Sequence, residues 1–505
     1  MQIPLDRDKS VPLARQIQAH LERLIAGRLL APGVKLPATR ELAQSLGVNR
    51  ATVALAYDEL VAAGWARAHV GQGTFVAGPP DGAAVAVEPA AQPLNWSALL
   101  SRSARIVESD GERARASAPG AARDGIISFA GGMPDSGLFP TDAFRRALNE
   151  VVREEGESLL QYYPVGGYPP LRRYLATYLL RFGLEARAED ILIVNGSQQG
   201  FDLIARTLLD PGDAVAIEQP TYPRAMQVFR SFGASLLAVD RDAAGPRVDA
   251  FERLLERQAP KLFYCQPSAH NPTGLTIRRD VAARLLAVAA RHQVPVVEDG
   301  FDGSLYYGER PPAPLKALDR DGVVIYIGTF SKVLFPGLRL GWLVAPTPLS
   351  ERLRAAKQLA DLHTSALLQA AVHRFCERRL LDRHVARIAG EYCRRRDALV
   401  AALKRRLPED VTWTEPEGGF SLLVTLPAGF DAGALLPRAL ERGVAYTPGA
   451  AFWVDGSGER TLRLSFSSVP AAKIDEGVRR LGDVVRAERK RPAAHPVERV
   501  AAPLV

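Results

Sequence analysis

Val323-Val-Ile-Tyr-Ile-Gly-Thr-Phe-Ser-Lys332 is an apolar, largely β-branched run that stops at hydroxyls and a lysine, with Pro336-Gly-Leu-Arg339 close behind. It reads as a buried strand whose carboxyl end opens into a loop. Ile191-Leu-Ile-Val194, Ala214-Val-Ala-Ile217, Leu262-Phe-Tyr-Cys265 and Val294-Pro-Val-Val297 are similar runs, separated by amphipathic stretches. Runs that are apolar throughout suit strands covered on both faces. The expected fold is therefore α/β, with a mostly parallel central sheet between helices. After about Pro348 helical patterns dominate, including a long one over 389–407, before the strand-like 420–426 and 462–466. This part reads as a smaller α+β subdomain.

Open α/β sheets bind ligands beyond the carboxyl ends of their strands, which places Lys332 and Arg339 at such an edge. A lysine there can form a Schiff base with an aldehyde cofactor, while Arg339 and the hydroxyls of Thr329 and Ser331 can neutralise a phosphate. Asn195-Gly-Ser-Gln-Gln-Gly200 joins the run 191–194 to a helix, so the backbone N–H groups at Ser197 and Gln198 serve the same phosphate. Asp299 follows the run 294–297. A carboxylate beside a pyridine nitrogen keeps it protonated and makes the ring an electron sink; taken alone, Asp299 also reads as a turn cap. Asn271, in His270-Asn-Pro-Thr-Gly274, can hydrogen-bond a ring hydroxyl or make a turn before Pro272. Tyr222, in Glu218-Gln-Pro-Thr-Tyr-Pro223, can stack on a ring or belong to the core, and His270 is read as structural.

Residues 1–78 follow another plan. Leu13, Ile17, Leu21, Leu24 and Ile25 keep helical spacing between Ser10, placed to cap, and Gly27. A Pro32-Gly33 turn leads to a short helix over 39–46 stopped by Gly47, and Asn49 caps a third helix that Gly64 ends. The stretch 65–76, around Gly71-Gln-Gly73, reads as a β-hairpin. Three helices and a wing make a winged helix-turn-helix, whose recognition helix enters the DNA major groove. Arg40, Asn49, Arg50 and Thr52 stand where base edges and phosphates are met, and Gly71 lets the wing tip approach the backbone. The alternative is a solvated surface on a protein-binding module.

The chain has 505 residues and 47% apolar content, enough for at least two cores. The expected division is a head at 1–78, a linker rich in Ala, Pro and Gly at 79–125, a cofactor-binding domain at 126–487 and a basic tail at 488–505. Within the domain, the large part spans about 160–345 and the small part about 350–487, and one helical piece is expected in the linker around 96–105. The net charge of +8 suits a polyanionic partner, but residues 1–78 hold nine Lys/Arg against six Asp/Glu, so charge alone carries little weight. Cys265, Cys376 and Cys393 are few and widely spaced, which argues against both a disulfide framework and a metal cluster. No apolar stretch is long enough for a bilayer, and Met-Gln-Ile-Pro-Leu-Asp lacks the order of a signal peptide. A cytoplasmic protein with no membrane partner is expected.

Val11-Pro-Leu-Ala-Arg-Gln-Ile17, Gly33-Val-Lys-Leu-Pro-Ala-Thr-Arg-Glu-Leu-Ala43, Leu46-Gly-Val-Asn-Arg-Ala-Thr52 and Gly71-Gln-Gly-Thr-Phe-Val76 resemble the GntR family of winged-helix regulators. The resemblance implies DNA contacts for Arg40, Asn49, Arg50 and Thr52. Lys332, Asp299, Arg339 and Asn271 at their separations resemble the fold-type I aminotransferases over about 126–485. That resemblance implies pyridoxal 5'-phosphate as cofactor. It further implies that Arg463, in Leu462-Arg-Leu-Ser-Phe466, grips a carboxylate, and that Tyr162, in Tyr162-Tyr-Pro-Val-Gly-Gly167, reaches the phosphate of a neighbouring subunit in a homodimer. Phe301 departs from the pattern, which has a tyrosine there; one charge-assisted bond to the ring oxygen, about 1.5–3 kcal/mol, is lost. The two resemblances in this order are those of the MocR/GabR subfamily. They imply a regulator that binds double-stranded operator DNA, senses an amine, an amino acid or the cofactor itself, and dimerises head-to-tail. Two other readings stay open: a working aminotransferase with an accessory head, and a cofactor-free scaffold that dimerises the heads.

Overall fold

Ile17, Leu21 and Ile25 recur at helical spacing and are buried, so Leu13–Ala26 forms a helix with one apolar stripe. It begins after Pro12 rather than at Ser10, and no side chain caps it; the fixed φ of proline sets its entry instead. The second helix, Thr39–Leu46, stops at Gly47 with a φ of 62°. The third, Arg50–Ala62, is capped by Asn49, whose side-chain oxygen accepts from Ala51 N at 2.9 Å. Its Tyr57 hydroxyl donates to Pro37 O at 2.9 Å, tying it to the entry of the second helix. Strands Ala66–His69 and Gly73–Val76 form the wing, and the segment 33–36 pairs along its edge, Leu36 N donating to Thr74 O at 2.8 Å and Val76 N to Val34 O at 2.9 Å.

This computed structural model describes residues 1, 3–8, 10–69, 71–79, 94–107, 125–300 and 304–490. The chain divides into two units, Met1–Leu99 and Leu100–Val505. Most of the expected linker, most of the expected tail and Phe301 lie outside the described residues. Between the two domains the described residues include helices at Trp96–Leu99 and 102–107, and the last helix, Ala471–Arg489, runs two residues into the expected tail.

The second unit is built on an eight-stranded sheet in the order Ile191–Val194, Gly341–Val344, Val324–Thr329, Val296–Asp299, Leu262–Cys265, Ala214–Gln219, Ser235–Asp242, Gly245–Pro246. From Val324–Thr329 to Ser235–Asp242 neighbouring strands are parallel, while Gly341–Val344 runs against both of its neighbours. Inner strands such as Leu262–Cys265 are apolar throughout because both faces are covered. In Leu262–Cys265, Leu262 and Tyr264 join a buried cluster with Phe201 and Phe229, whereas Phe263 and Cys265 join another with Phe251 and Leu285. Gly328 pairs with Trp342 across the antiparallel ladder, and a Cβ on Gly328 would lie 2.2 Å from the indole.

Beyond the sheet the helix Thr347–Asp361 ends at Leu362, whose φ is 64°, and Ala366–Glu377 and the 27-residue helix Leu380–Arg406 follow. A second sheet, antiparallel, orders Thr412–Trp413, Ser421–Thr425, Thr461–Ser465 and Thr447–Pro448. The segment after Gly125 joins this smaller part, since Ile127–Ser128 pairs with Val444–Ala445 and Phe129 O accepts from Ser465 N at 2.8 Å. The three cysteines are free thiols. Among the described residues no helix is long and apolar enough to cross a membrane.

Candidate cofactor-binding site

The carboxyl ends of Val296–Asp299 and Val324–Thr329, the start of the helix Ser197–Leu208 and the strand Thr461–Ser465 meet at a cavity of about 300 Å³. Lys332, Asp299, Asn271, Tyr222, Ser197, Thr329, Ser331 and Arg463 all line it. The ammonium of Lys332 donates to Gly132 O at 2.9 Å and lies 5.9 Å from the centre of the Phe420 ring. Gly132 belongs to the segment that crosses from the smaller part, so the lysine bridges the two halves of the site.

Asp299 is buried, and its Oδ2 accepts from the Tyr264 hydroxyl at 2.8 Å and from Gln266 Nε2 at 2.7 Å. Two donors on one oxygen favour the ionised carboxylate, the form that can hold a proton on a ring nitrogen. Asn271 N donates to Gln266 Oε1 at 3.1 Å, so one glutamine fixes both residues. Tyr222 is half-buried, and desolvation raises its phenol pKa.

At the other end the turn Asn195-Gly196 leads into the helix Ser197–Leu208, whose first N–H groups are aimed outward as in every helix start. Gly196 has a φ of 78°, a left-handed conformation that favours glycine, and a Cβ there would press on the tip of Arg339 at 2.7 Å. Arg339 donates to Asn195 O at 3.1 Å. Thr329 Oγ1 donates to Ser331 Oγ at 2.9 Å, bringing two hydroxyls to the same region. Gln198 follows Ser197 on the helix but is outside the cavity wall.

Arg463 is buried, and burial pulls its pKa down to about 10, which leaves it charged at neutral pH. Its Nη2 donates to Ala130 O and Gly131 O at 2.8 and 2.9 Å. The guanidinium lies 5.0 Å from the Phe452 ring centre. Tyr162 stands apart from the cavity: it is 81% exposed, and its ring meets that of His363 edge-on. His270 is buried, with Nδ1 2.8 Å from Thr273 Oγ1 and Nε2 3.1 Å from Pro220 O, the position of a structural histidine.

An amine, a buried carboxylate and an asparagine lining one cavity, with an anion site at a helix start, fit a flat pyridine ring bearing an aldehyde, a hydroxyl and a phosphate. Pyridoxal 5'-phosphate has that set of groups. Gln266 and Arg224 also line the cavity and were missed in the sequence. Gln266 follows the strand Leu262–Cys265 directly, and that position at a strand's carboxyl end was the available signal.

In the head, Arg40, Asn49, Arg50 and Gly71 are exposed and Thr52 is half-buried. Arg50 and Thr52 sit in the first turn of the third helix, and Arg40 in the first turn of the second.

Residues 125–481 match the family described as aminotransferase class I and II, and residues 13–76 match the gntR family of bacterial regulatory proteins. The chain is 32% identical over 482 residues to the probable rhizopine catabolism regulatory protein MocR of Rhizobium meliloti, covering 94% of each. Among solved structures it is similar to LysN, the alpha-aminoadipate aminotransferase of Thermus thermophilus, complexed with N-(5'-phosphopyridoxyl)-L-leucine. That likeness has 39% identity and a TM-score of 0.72, over 78% of this chain and 99% of the other. It is also similar to the multiple substrate aminotransferase of Thermococcus profundus, at 37% identity and a TM-score of 0.74 over 79% of this chain and 100% of that one.

Proposed function

The chain belongs to the GntR-type regulators that carry a pyridoxal-phosphate-dependent aminotransferase class I and II domain, and from that premise we propose that Lys332 is the point where a small amine or amino acid is sensed. When bound, pyridoxal 5'-phosphate supplies an electrophilic aldehyde on an electron-withdrawing ring. Lys332 offers the amine that holds the aldehyde. Asp299, held in place by Tyr264 and Gln266, would keep a proton on the ring nitrogen. Asn271 would hold the ring oxygen, Tyr222 the ring face, and Ser197, Gln198, Thr329, Ser331 and Arg339 the phosphate. Arg463 takes the effector's carboxylate with its forked guanidinium.

The observation that carries this reading is the bridge from Lys332 Nζ to Gly132 O. Lys332 would hold the aldehyde when no effector is present and would be left to Gly132 O when an effector amine competes for that group, and the two partners would favour two arrangements of the halves. Such a shift reaches the DNA heads only if the effector binds the two arrangements with different affinity. Arg40, Asn49, Arg50, Thr52 and Gly71 make the DNA contacts, and the protein works in the cytoplasm as a head-to-tail homodimer. The exposed Tyr162 then serves the site of a second copy.

The test is the footprint of the full-length protein on the promoter region upstream of its own gene, with a panel of amines and amino acids. One or more should change the footprint of the cofactor-loaded protein and leave Lys332→Ala protein unaffected. Footprints that no amine alters, with and without cofactor, would sink the sensing role.

A working aminotransferase is the second reading, favoured by the 39% identity to a 2-aminoadipate transaminase of Thermus thermophilus over 398 residues. Sustained turnover of an amino-acid and keto-acid pair would support it; a spectral shift without turnover supports the sensor.

A further inference from the structure

Lys357 lies one turn before the end of the helix Thr347–Asp361 and is 0% exposed. An ammonium in that position is costly unless every proton finds an acceptor. Lys357 Nζ donates to both carboxylate oxygens of Asp361 at 2.9 Å, to Gln199 Oε1 at 3.0 Å and to Thr364 Oγ1 at 3.0 Å. Two of these partners reach further. Asp361 Oδ2 accepts from Asn195 Nδ2 at 2.5 Å and from Gln199 Nε2 at 2.7 Å, while Gln199 Oε1 accepts from Asn195 N at 2.8 Å. Asn195 is thus held by its main chain and its side chain together, and Arg339 donates to its carbonyl. Lys357, Asp361 and Gln199 do not line the cavity.

The clamped residue immediately precedes Gly196 and the helix start at Ser197. A turn that presents N–H groups to an anion binds it better when its conformation is set beforehand, because ordering on binding costs affinity. Closing the fold alone does not call for a buried ion pair here, since apolar side chains of similar volume serve packing as well or better.

We propose that Lys357 is a positioning residue for the phosphate end of the site: through Asp361 and Gln199 it locks Asn195, so that the turn and Arg339 are already aimed when a phosphate monoester arrives. This rests on the reading of the cavity as the pyridoxal 5'-phosphate site. Lys357 lies outside the cavity wall and would act only through these partners. The same ammonium holds Thr364, two residues beyond the left-handed Leu362, so the exit from the large part is pinned to the phosphate turn as well.

The experiment titrates full-length protein with pyridoxal 5'-phosphate and, separately, with pyridoxal, which lacks the phosphate, following the absorbance of the bound cofactor. The proteins are wild type, Lys357→Met and the double variant Lys357→Met/Asp361→Asn. The double variant leaves no lone buried charge, so it carries the test if the single one does not fold. It also removes one charge of each sign, which separates positioning from simple loss of a cation near the phosphate. The expected result is a rise of roughly tenfold or more in the Kd for pyridoxal 5'-phosphate in both variants, with the Kd for pyridoxal within about twofold of wild type. Equal losses for both compounds, an unchanged Kd for pyridoxal 5'-phosphate, or a loss in the single variant that the double variant restores would overturn the proposal. Wild-type protein that binds neither compound would overturn the cofactor reading itself. Wild-type preference for the phosphorylated form with unaltered variants would overturn only the role of Lys357.

Discussion

Arg463 Nη1 donates to the side-chain oxygen of Asn271 at 3.1 Å, so the residue assigned to the effector's carboxylate and the residue assigned to the cofactor's ring oxygen are already joined. With the roles proposed above, a carboxylate arriving at Arg463 would compete with Asn271 for that N–H and so link effector binding to the ring through one bond.

Replacing Arg463 by lysine keeps the charge and removes the fork. Affinity for amino-acid effectors should fall about tenfold or more, whereas amines without a carboxylate should be little affected. Spectral titration of the cofactor-loaded variant with matched amino-acid and amine pairs measures both. Equal loss for the two classes would remove Arg463 from the carboxylate role.

Substituting Asp299 by alanine leaves the Tyr264 hydroxyl and the Gln266 amide without that acceptor in a buried site. Each such donor costs about 1–3 kcal/mol. The variant should melt at a lower temperature and hold pyridoxal 5'-phosphate less tightly, read by calorimetry and by absorbance. Unchanged cofactor affinity would leave Asp299 as a fold residue.

In the head, Arg50→Ala and Arg40→Ala should weaken DNA binding. A phosphate contact is recognised by a salt slope smaller by about 1, and a base contact by a loss of about 1–3 kcal/mol for the preferred sequence only. Asn49 needs a finer comparison because it caps its helix. Asn49→Ala should cost about 1 kcal/mol of head stability, and Asn49→Ser should restore the cap. Full DNA affinity in the serine variant would show that Asn49 acts through the cap and not by touching DNA.

His384 is buried on the helix Leu380–Arg406; desolvation, with Arg387 close by, pulls its pKa down to about 4 from the ordinary 6.5. The folded pKa is below the unfolded one, so in that window the unfolded chain binds more protons. The stability from the neutral imidazole is therefore complete above about pH 6.5 and is lost as the pH falls towards 4. Between about pH 7 and 5 the wild type should lose on the order of 2 kcal/mol more than His384→Asn, measured by urea unfolding. Parallel acid profiles would refute this.

The strands Ile191–Val194 and Leu262–Cys265 were legible to the residue because every side chain in them is buried, which leaves no polar position to blur the pattern. The strand Ser235–Asp242 escaped notice. It lies near the sheet edge with most side chains partly or fully exposed, so polar residues interrupt it. The crossing of the segment after Gly125 into the smaller part rests on the two-residue strand Ile127–Ser128, too short to leave a period. At the cavity, Asp299, Lys332 and Ser197, beside strand ends or a glycine turn, were found because such positions imply function in an α/β fold, although Gln266 at another strand end was not. Lys357 and Asp361 were not. They are spaced like an ordinary solvated pair on a helix, and only the tertiary fold turns that face inward.

Trp342 occupies the space that a side chain on Gly328 would fill, and Gly328 stands one residue before Thr329 on the strand that ends at the lysine loop. The bulk of residue 328 therefore acts as a spacer setting. With alanine the indole must tilt or the ladder must part, and in the second case the adjustment passes along the backbone to Thr329, Ser331 and Lys332. A methyl group that never enters the cavity would retune its cofactor from behind.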